Sequence, residues 1–129
     1  MALLIDTGVL VERERGAPKT IAINEDAAIS VITVSELLHG VHRAVGARRS
    51  KRRAFVEHLL ATFEPVPITE PVARVHAEVW AELAGHGEVL GAHDLWIAAT
   101  ALTHGYGVVT DNLGDFGRVP GLRIVEGRS

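Results

Sequence analysis

The chain has 129 residues, 47% of them apolar and 22% charged, which is the composition of one globular domain with its own core and excludes an unfolded chain. It contains no cysteine, so disulfides and thiolate-bound metals are excluded, and no apolar run approaches the ~20 residues that span a bilayer. The net charge of −3 argues against a uniformly basic nucleic-acid binder, yet Arg43, Arg48, Arg49, Lys51, Arg52 and Arg53 crowd one short stretch.

In chain order, Ala2 to Ile5 reads as a short buried strand stopped by Asp6-Thr7-Gly8. It lacks a basic leader and is too short for a signal peptide, so a cytoplasmic protein is expected. A helix is expected from about Val9, fading near Gly16-Ala17-Pro18. Ala27 to Ile32, rich in branched residues, reads as a second strand. A helix then opens at Thr33 and runs to about Val45, with Leu37, Leu38 and Val41 at helical spacing, until Gly46 breaks it. The next helix, about Arg48 to Thr62, sets Phe55, Leu59 and Thr62 against an arginine-rich face.

Pro65 and Pro67 reduce Phe63 to Ile68 to an edge strand or an extended connection. Thr69-Glu70-Pro71 starts a helix whose Val72, Val75, Val79 and Leu83 share a face up to Gly85, and a loop follows to Gly91. Asp94 begins an almost wholly apolar helix that stops at His104-Gly105. Gly107 to Thr110 is a buried strand, and Leu122 to Val125 a last one. Gly127-Arg128-Ser129 reads as a loose end. Trp80 and Trp96 read as core, and the histidines as surface or interface residues.

Strands alternating with helices predict an α/β fold: one domain over residues 1–129, with helices on both faces of a mainly parallel sheet. Ligands of such folds bind beyond the carboxyl ends of the strands. Asp6 follows the first strand, Glu36 and Asp115 each lie a few residues past another, and Asp94 opens the helix leading into a fourth, so one sheet edge can gather four carboxylates. Acids so placed repel one another, and a hard divalent cation such as Mg²⁺ or Mn²⁺ relieves the repulsion while providing the means to hydrolyse a phosphodiester. Each acid has a plainer reading. Asp6 and Asp94 suit helix N-termini, and Thr33-Val34-Ser35-Glu36 is also a capping box, so Glu36 keeps two readings. Asp111, Asn112 and Asp115 are also ordinary turn residues.

The order of motifs, Leu4-Ile5-Asp6-Thr7, Ile32-Thr33-Val34-Ser35-Glu36-Leu37, Asp94-Leu95-Trp96-Ile97-Ala98-Ala99-Thr100-Ala101 and Val109-Thr110-Asp111-Asn112-Leu113-Gly114-Asp115-Phe116, resembles the PIN domain, and more closely the VapC toxins of bacterial toxin–antitoxin modules. The likeness spans nearly the whole chain. It implies a three-layer α/β/α sandwich, dependence on one or two Mg²⁺ or Mn²⁺ ions, endonucleolytic cleavage of RNA, a homodimer, and inhibition by a VapB-type antitoxin. It assigns the acidic, metal-holding core to Asp6, Glu36 and Asp94, with Asp115 as a fourth acid. Thr7, Thr110 and Asn112 are expected to meet substrate, and Arg49 and Arg52 to bind its phosphates. Gly8 stands where the family commonly has serine, and Asp111 where relatives are often basic. These departures keep open a catalytically silent PIN domain acting as a binding module, and, because a metal site attacks the phosphodiester without itself reading the sugar, a DNA-directed nuclease of the same chemistry is a second alternative. A phospho-accepting receiver is disfavoured because neither Lys19 nor Lys51 sits at a late strand end, and no Gly-rich phosphate loop is present.

Overall fold

The computed structural model describes residues 2–14 and 26–127. The expected fading of the first helix near Gly16-Ala17-Pro18 lies outside the described residues, as do Arg128 and Ser129. The elements are β1 (Leu3–Ile5), α1 (Thr7–Glu14), β2 (Ala27–Ser30), α2 (Val31–Arg43), α3 (Gly46–Thr62), β3 (Glu64–Val66), α4 (Glu70–Gly85), α5 (Ala92–His104), β4 (Gly107–Thr110), α6 (Leu113–Phe116) and β5 (Ile124–Glu126). All strand pairings are parallel, in the order β3-β2-β1-β4-β5. Among the described residues no helix is long and apolar enough to cross a membrane.

The three layers follow from strand alternation, because successive side chains leave a strand on opposite faces. Leu3 and Ile5 point to one side, where they meet Ile29, Val109 and the inner faces of α1, α2 and α3. Leu4 and Val108 point to the other, against Ile97, Ala98 and Ala101 of α5 and Val79 and Leu83 of α4. Both faces of β1 are therefore covered, which explains its unbroken apolar run. Full burial of such side chains stabilises the fold by ~1.5–3 kcal/mol each. Pro65 sits in β3, at the sheet edge, where its missing N–H costs no central ladder bond.

Several boundaries depart from expectation for identifiable reasons. The second strand stops at Ser30 and α2 starts at Val31, two residues before Thr33, because the Ser30 hydroxyl accepts a hydrogen bond from the Ile32 N–H at 3.0 Å. A serine cap thus overrides the strand preference of Val31-Ile32. Ser30→Ala is expected to lower stability by ~1 kcal/mol, read as a lower denaturant midpoint at constant slope; an unchanged midpoint would remove the cap's assigned role. Gly46, with φ 59°, begins α3 and does not interrupt it, while Ala44 and Val45 form the joint. The one-turn α6 was not expected.

Trp80 is 60% exposed and is not core. The inward residues of α4 are Val72, His76, Val79 and Leu83, so Trp80 falls on the flank of the helix. His76, expected at the surface, is buried, stacked on the partly buried Trp96 at 3.6 Å between ring centres and edge-on to Trp80 at 5.7 Å. Burial pushes its imidazole pKa down. Gly127 is no loose end either. It is buried, its N–H donates to Thr110 O at 3.0 Å, and a Cβ there would come within 2.8 Å of Val9 and 2.9 Å of Asp111.

The sheet order decides where a ligand can enter. From β1 the chain moves to β2 and β3 on one side, then returns to β4 and β5 on the other. The connections diverge at the β1–β4 seam, and a crevice opens beyond the carboxyl ends of those strands.

Candidate active site

Asp6 leaves β1 at that seam, its N–H donating to Val109 O at 2.9 Å, and its side chain is buried. The Thr110 hydroxyl, at the end of β4, donates to Asp6 Oδ2 at 2.9 Å and accepts from the Asn112 N–H at 2.9 Å. These two bonds align in one direction and fix the carboxylate. Burial raises the Asp6 pKa, the Thr110 bond opposes the rise, and the nearby Glu36 charge adds to it.

Glu36 arrives from α2. The helix starts at Val31 with Ser30 as its cap, so Glu36 lies in its second turn and takes no part in a capping box. Its Oε1 accepts from the Thr7 hydroxyl at 2.7 Å, and its Oε2 lies 3.2 Å from His93 Nδ1. The Thr33 hydroxyl is 2.9 Å from that of Thr7 and completes the support. Thr7 and Thr110, expected to meet substrate, direct their hydroxyls to Glu36 and Asp6, and Thr7 also lines the cleft.

Asp94 enters from the first turn of α5. Its pKa is pushed up to about 6, first by burial and then by the charges of Asp6, Glu36 and Asp115, with His93 opposing. Three chain segments distant in sequence therefore deliver Asp6, Glu36 and Asp94 to one cleft of about 650 Å³. Asn112 also lines it.

Asp115 is close enough to raise the Asp94 pKa but does not line the cleft. Its Oδ2 accepts from Asn112 Nδ2 at 3.0 Å, and Oδ1 lies 3.6 Å from an Arg118 guanidinium nitrogen. Asn112 in turn caps α6 by accepting from the Asp115 N–H at 3.4 Å. The arginines named from the sequence also have other engagements. Arg49 donates to Ala44 O at 2.7 Å and His42 O at 3.1 Å, closing the end of α2, and Arg52 pairs with Glu14 at 3.1 Å. Neither lines the cleft.

Sequence reasoning passed over Glu12, which lines the cleft from α1. The available signal was its spacing: Glu12 lies four residues after Gly8, on the face of α1 that adjoins Asp6. His93, read as a surface histidine, is exposed yet holds Glu36.

The donor chemistry of the cleft suits a hard cation. Its acidic neighbours stand close enough to help raise the pKa values of Asp6 and Asp94, a cost that a divalent ion removes. Among the described residues no group of three or more His, Asp or Glu side chains stands close enough to hold an ion together. An ion held by one or two carboxylates, with water filling its other positions, is the mode Mg²⁺ usually adopts.

A model of the PIN domain matches residues 3–122. The chain is 37% identical over 128 residues to Ribonuclease VapC1 of Rickettsia felis, across 97% of this chain and 96% of that one. It is 36% identical over 96 residues to the tRNA(fMet)-specific endonuclease VapC of Salmonella typhimurium, across 74% and 71% of the two. Its fold superposes with a TM-score of 0.81 and 31% identity on VapBC-5 of Mycobacterium tuberculosis, a member of the VapBC family of toxin-antitoxin systems, over 99% of this chain and 98% of that one. The chain belongs to the PIN-domain family, within its VapC branch.

Proposed function

We propose that this chain is a metal-dependent endoribonuclease, the toxin of a toxin–antitoxin pair, acting in the cytoplasm as a single domain over residues 1–129. The observation that carries the reading is the convergence of Asp6, Glu36 and Asp94 in one cleft, with Asp94 held up to about 6 by burial and by its acidic neighbours. The relatives named as ribonucleases and as an RNA-specific endonuclease support RNA as the substrate class. The toxin-antitoxin relative supports a VapB-type antitoxin as the partner, and a homodimer is the assembly that the family resemblance implies.

Asp6 and Asp94 would hold Mg²⁺ or Mn²⁺, with Asn112 lining the cleft and Asp115, bonded to Asn112, adding its negative charge nearby. When bound, the ion supplies Lewis acidity and neutralises charge on the phosphate under attack. The remaining work falls to the protein. Thr110 keeps the Asp6 carboxylate aimed at the cleft, while Thr7 and His93 fix both oxygens of Glu36. So held, Glu36 is placed to orient an attacking water and accept its proton.

The test is incubation of the purified protein with a mixed small-RNA pool in Mg²⁺, in Mn²⁺ and in chelator, beside Asp6→Ala. Discrete cleavage that needs both the metal and Asp6 is the expected result. Cleavage of DNA alone would transfer the activity to a DNA-directed nuclease. Metal binding with no cleavage of either would make the chain a silent binding module.

A further inference from the structure

Beside the acidic cleft, and sharing Glu36 with it, lies a second recess of about 430 Å³. Its wall is basic, formed by Arg43 of α2 and by Arg48 and Arg52 of α3, with His39 and Val45 between them. Glu36, His39 or Gly40, and Arg43 follow one another at helical spacing, so they form one stripe along α2. At 1.5 Å per residue, Arg43 stands roughly 10 Å along the helix from Glu36.

The three arginines are not equivalent. Arg52 is already paired with Glu14. Arg43 and Arg48 are exposed and make no hydrogen bond or ion pair among the described residues. Two unpaired cations lining one recess repel each other unless an anion joins them. The N-terminus of α3 adds to the same preference. Its capping residue, Val45, offers no side-chain acceptor and lines the recess, and no acid occupies the first turn. The free N–H groups and the helix dipole there favour negative charge.

We propose that this recess binds a backbone phosphate of the RNA strand whose neighbouring phosphate lies in the acidic cleft, with Arg43 and Arg48 as the binding residues. The proposal rests on the ribonuclease reading and changes it in one respect: the phosphate contacts fall to Arg43 and Arg48, not to Arg49. A polyanion with regularly repeated charges satisfies both sites at once. One phosphate sits where the acids gather, and the next is held by arginines farther along the same helix. The strand thereby gains direction across the cleft, and the interaction is indifferent to base identity.

The experiment measures binding of a short uridine homopolymer to the Asp94→Asn protein over a range of salt concentrations, with and without Arg43→Gln and Arg48→Gln. Glutamine keeps helix propensity, and thermal melts verify the fold. The double variant is expected to bind about tenfold more weakly at low salt, and its log K against log salt to flatten by about 0.7 for each phosphate that is no longer neutralised. Arg49→Gln serves as the comparison and should leave the slope unchanged. In the cleavage-competent protein the same pair should raise KM and spare kcat, because neither arginine lies in the acidic cleft. An unchanged slope and KM in the folded double variant would overturn the assignment. Weakened capture of the purified cognate antitoxin with RNA binding intact would overturn it too, by giving the recess to a protein partner. Failure of the unsubstituted protein to cleave any RNA would instead defeat the ribonuclease reading, and homopolymer binding separates the two outcomes.

Discussion

Asp94→Asn is expected to abolish cleavage while making the metal-free protein more stable at neutral pH. Asp94 titrates near 6 in the folded protein, against an ordinary value of 3.8. Below the ordinary value the carboxyl is protonated in both folded and unfolded chains, and its contribution to stability is fully present. As pH rises through about 6 the folded protein must ionise a carboxyl crowded by Asp6, Glu36 and Asp115, and that contribution is lost. The shift corresponds to at most ~3 kcal/mol. Asp94 is only partly buried, and solvent screening reduces the expected gain from asparagine to ~1–2 kcal/mol.

Thermal melts in chelator should therefore show the unsubstituted protein losing stability between about pH 4 and about pH 6, with Asp94→Asn losing less. Added Mg²⁺ should reverse the ranking at pH 7, since only the protein that binds the ion gains by mass action. The activity loss follows from the several kcal/mol that metal-assisted charge stabilisation contributes, about a thousandfold or more in kcat/KM. Near-normal cleavage by Asp94→Asn, or identical chelator melts at pH 7, would sink this account of the site.

Phe116→Ala is the second substitution with a large expected effect. Phe116 closes the single turn of α6 and is fully buried in the core cluster beneath α5, together with Leu4, Ile97 and Val108. Removing a buried phenyl ring destabilises by ~3–5 kcal/mol, a large share of the ~5–15 kcal/mol that holds a domain together. The consequence extends to the site. Phe116 anchors the turn that carries Asn112 and Asp115, and the Asn112 N–H supports the Thr110 hydroxyl that holds Asp6. The variant should unfold at a much lower denaturant concentration with its slope unchanged. Leu113→Ala, in the same turn but 45% exposed, should change stability by only ~0.5 kcal/mol. A cost below ~1 kcal/mol for Phe116→Ala would show that the site is supported from elsewhere.

The features legible in the sequence were those with a local physical cause. Leu3 to Ile5 and Gly107 to Thr110 read as strands because a strand buried on both faces is a short, nearly continuous apolar run, with Thr110 the one polar residue, at the end of the second. Pro65 marked an edge, Gly105 marked a helix end that requires positive φ, and Asp6 and Asp94 stood at element ends that a parallel sheet collects on one side. Once the motifs were in order, the family could be read from them as well.

The remainder depended on partners far away in the chain. Glu36 was ambiguous until Ser30 proved to be the cap, because a capping box and a site glutamate use the same letters. Trp80 has the composition of core, but only the packing of α4 against its neighbours shows which flank of the helix stays outside. Arg43, Arg48, Arg49 and Arg52 are equal as charges in sequence; in the fold Arg49 turns to backbone carbonyls, while Arg43, Arg48 and Arg52 line the recess and, among the described residues, Arg52 alone of these three is paired, with Glu14. Asp115 follows the fourth strand as expected, and the one-turn helix capped by Asn112 ties its carboxylate to the Asn112 side chain at the edge of the cleft, near enough to raise the Asp94 pKa. Periodicity and end signals report on a residue's own backbone, and so the sequence by itself determined the elements and the candidate acids. The direction of each charged side chain is set by the hydrogen bonds and van der Waals contacts that the packed layers offer it, and only the tertiary structure decided that.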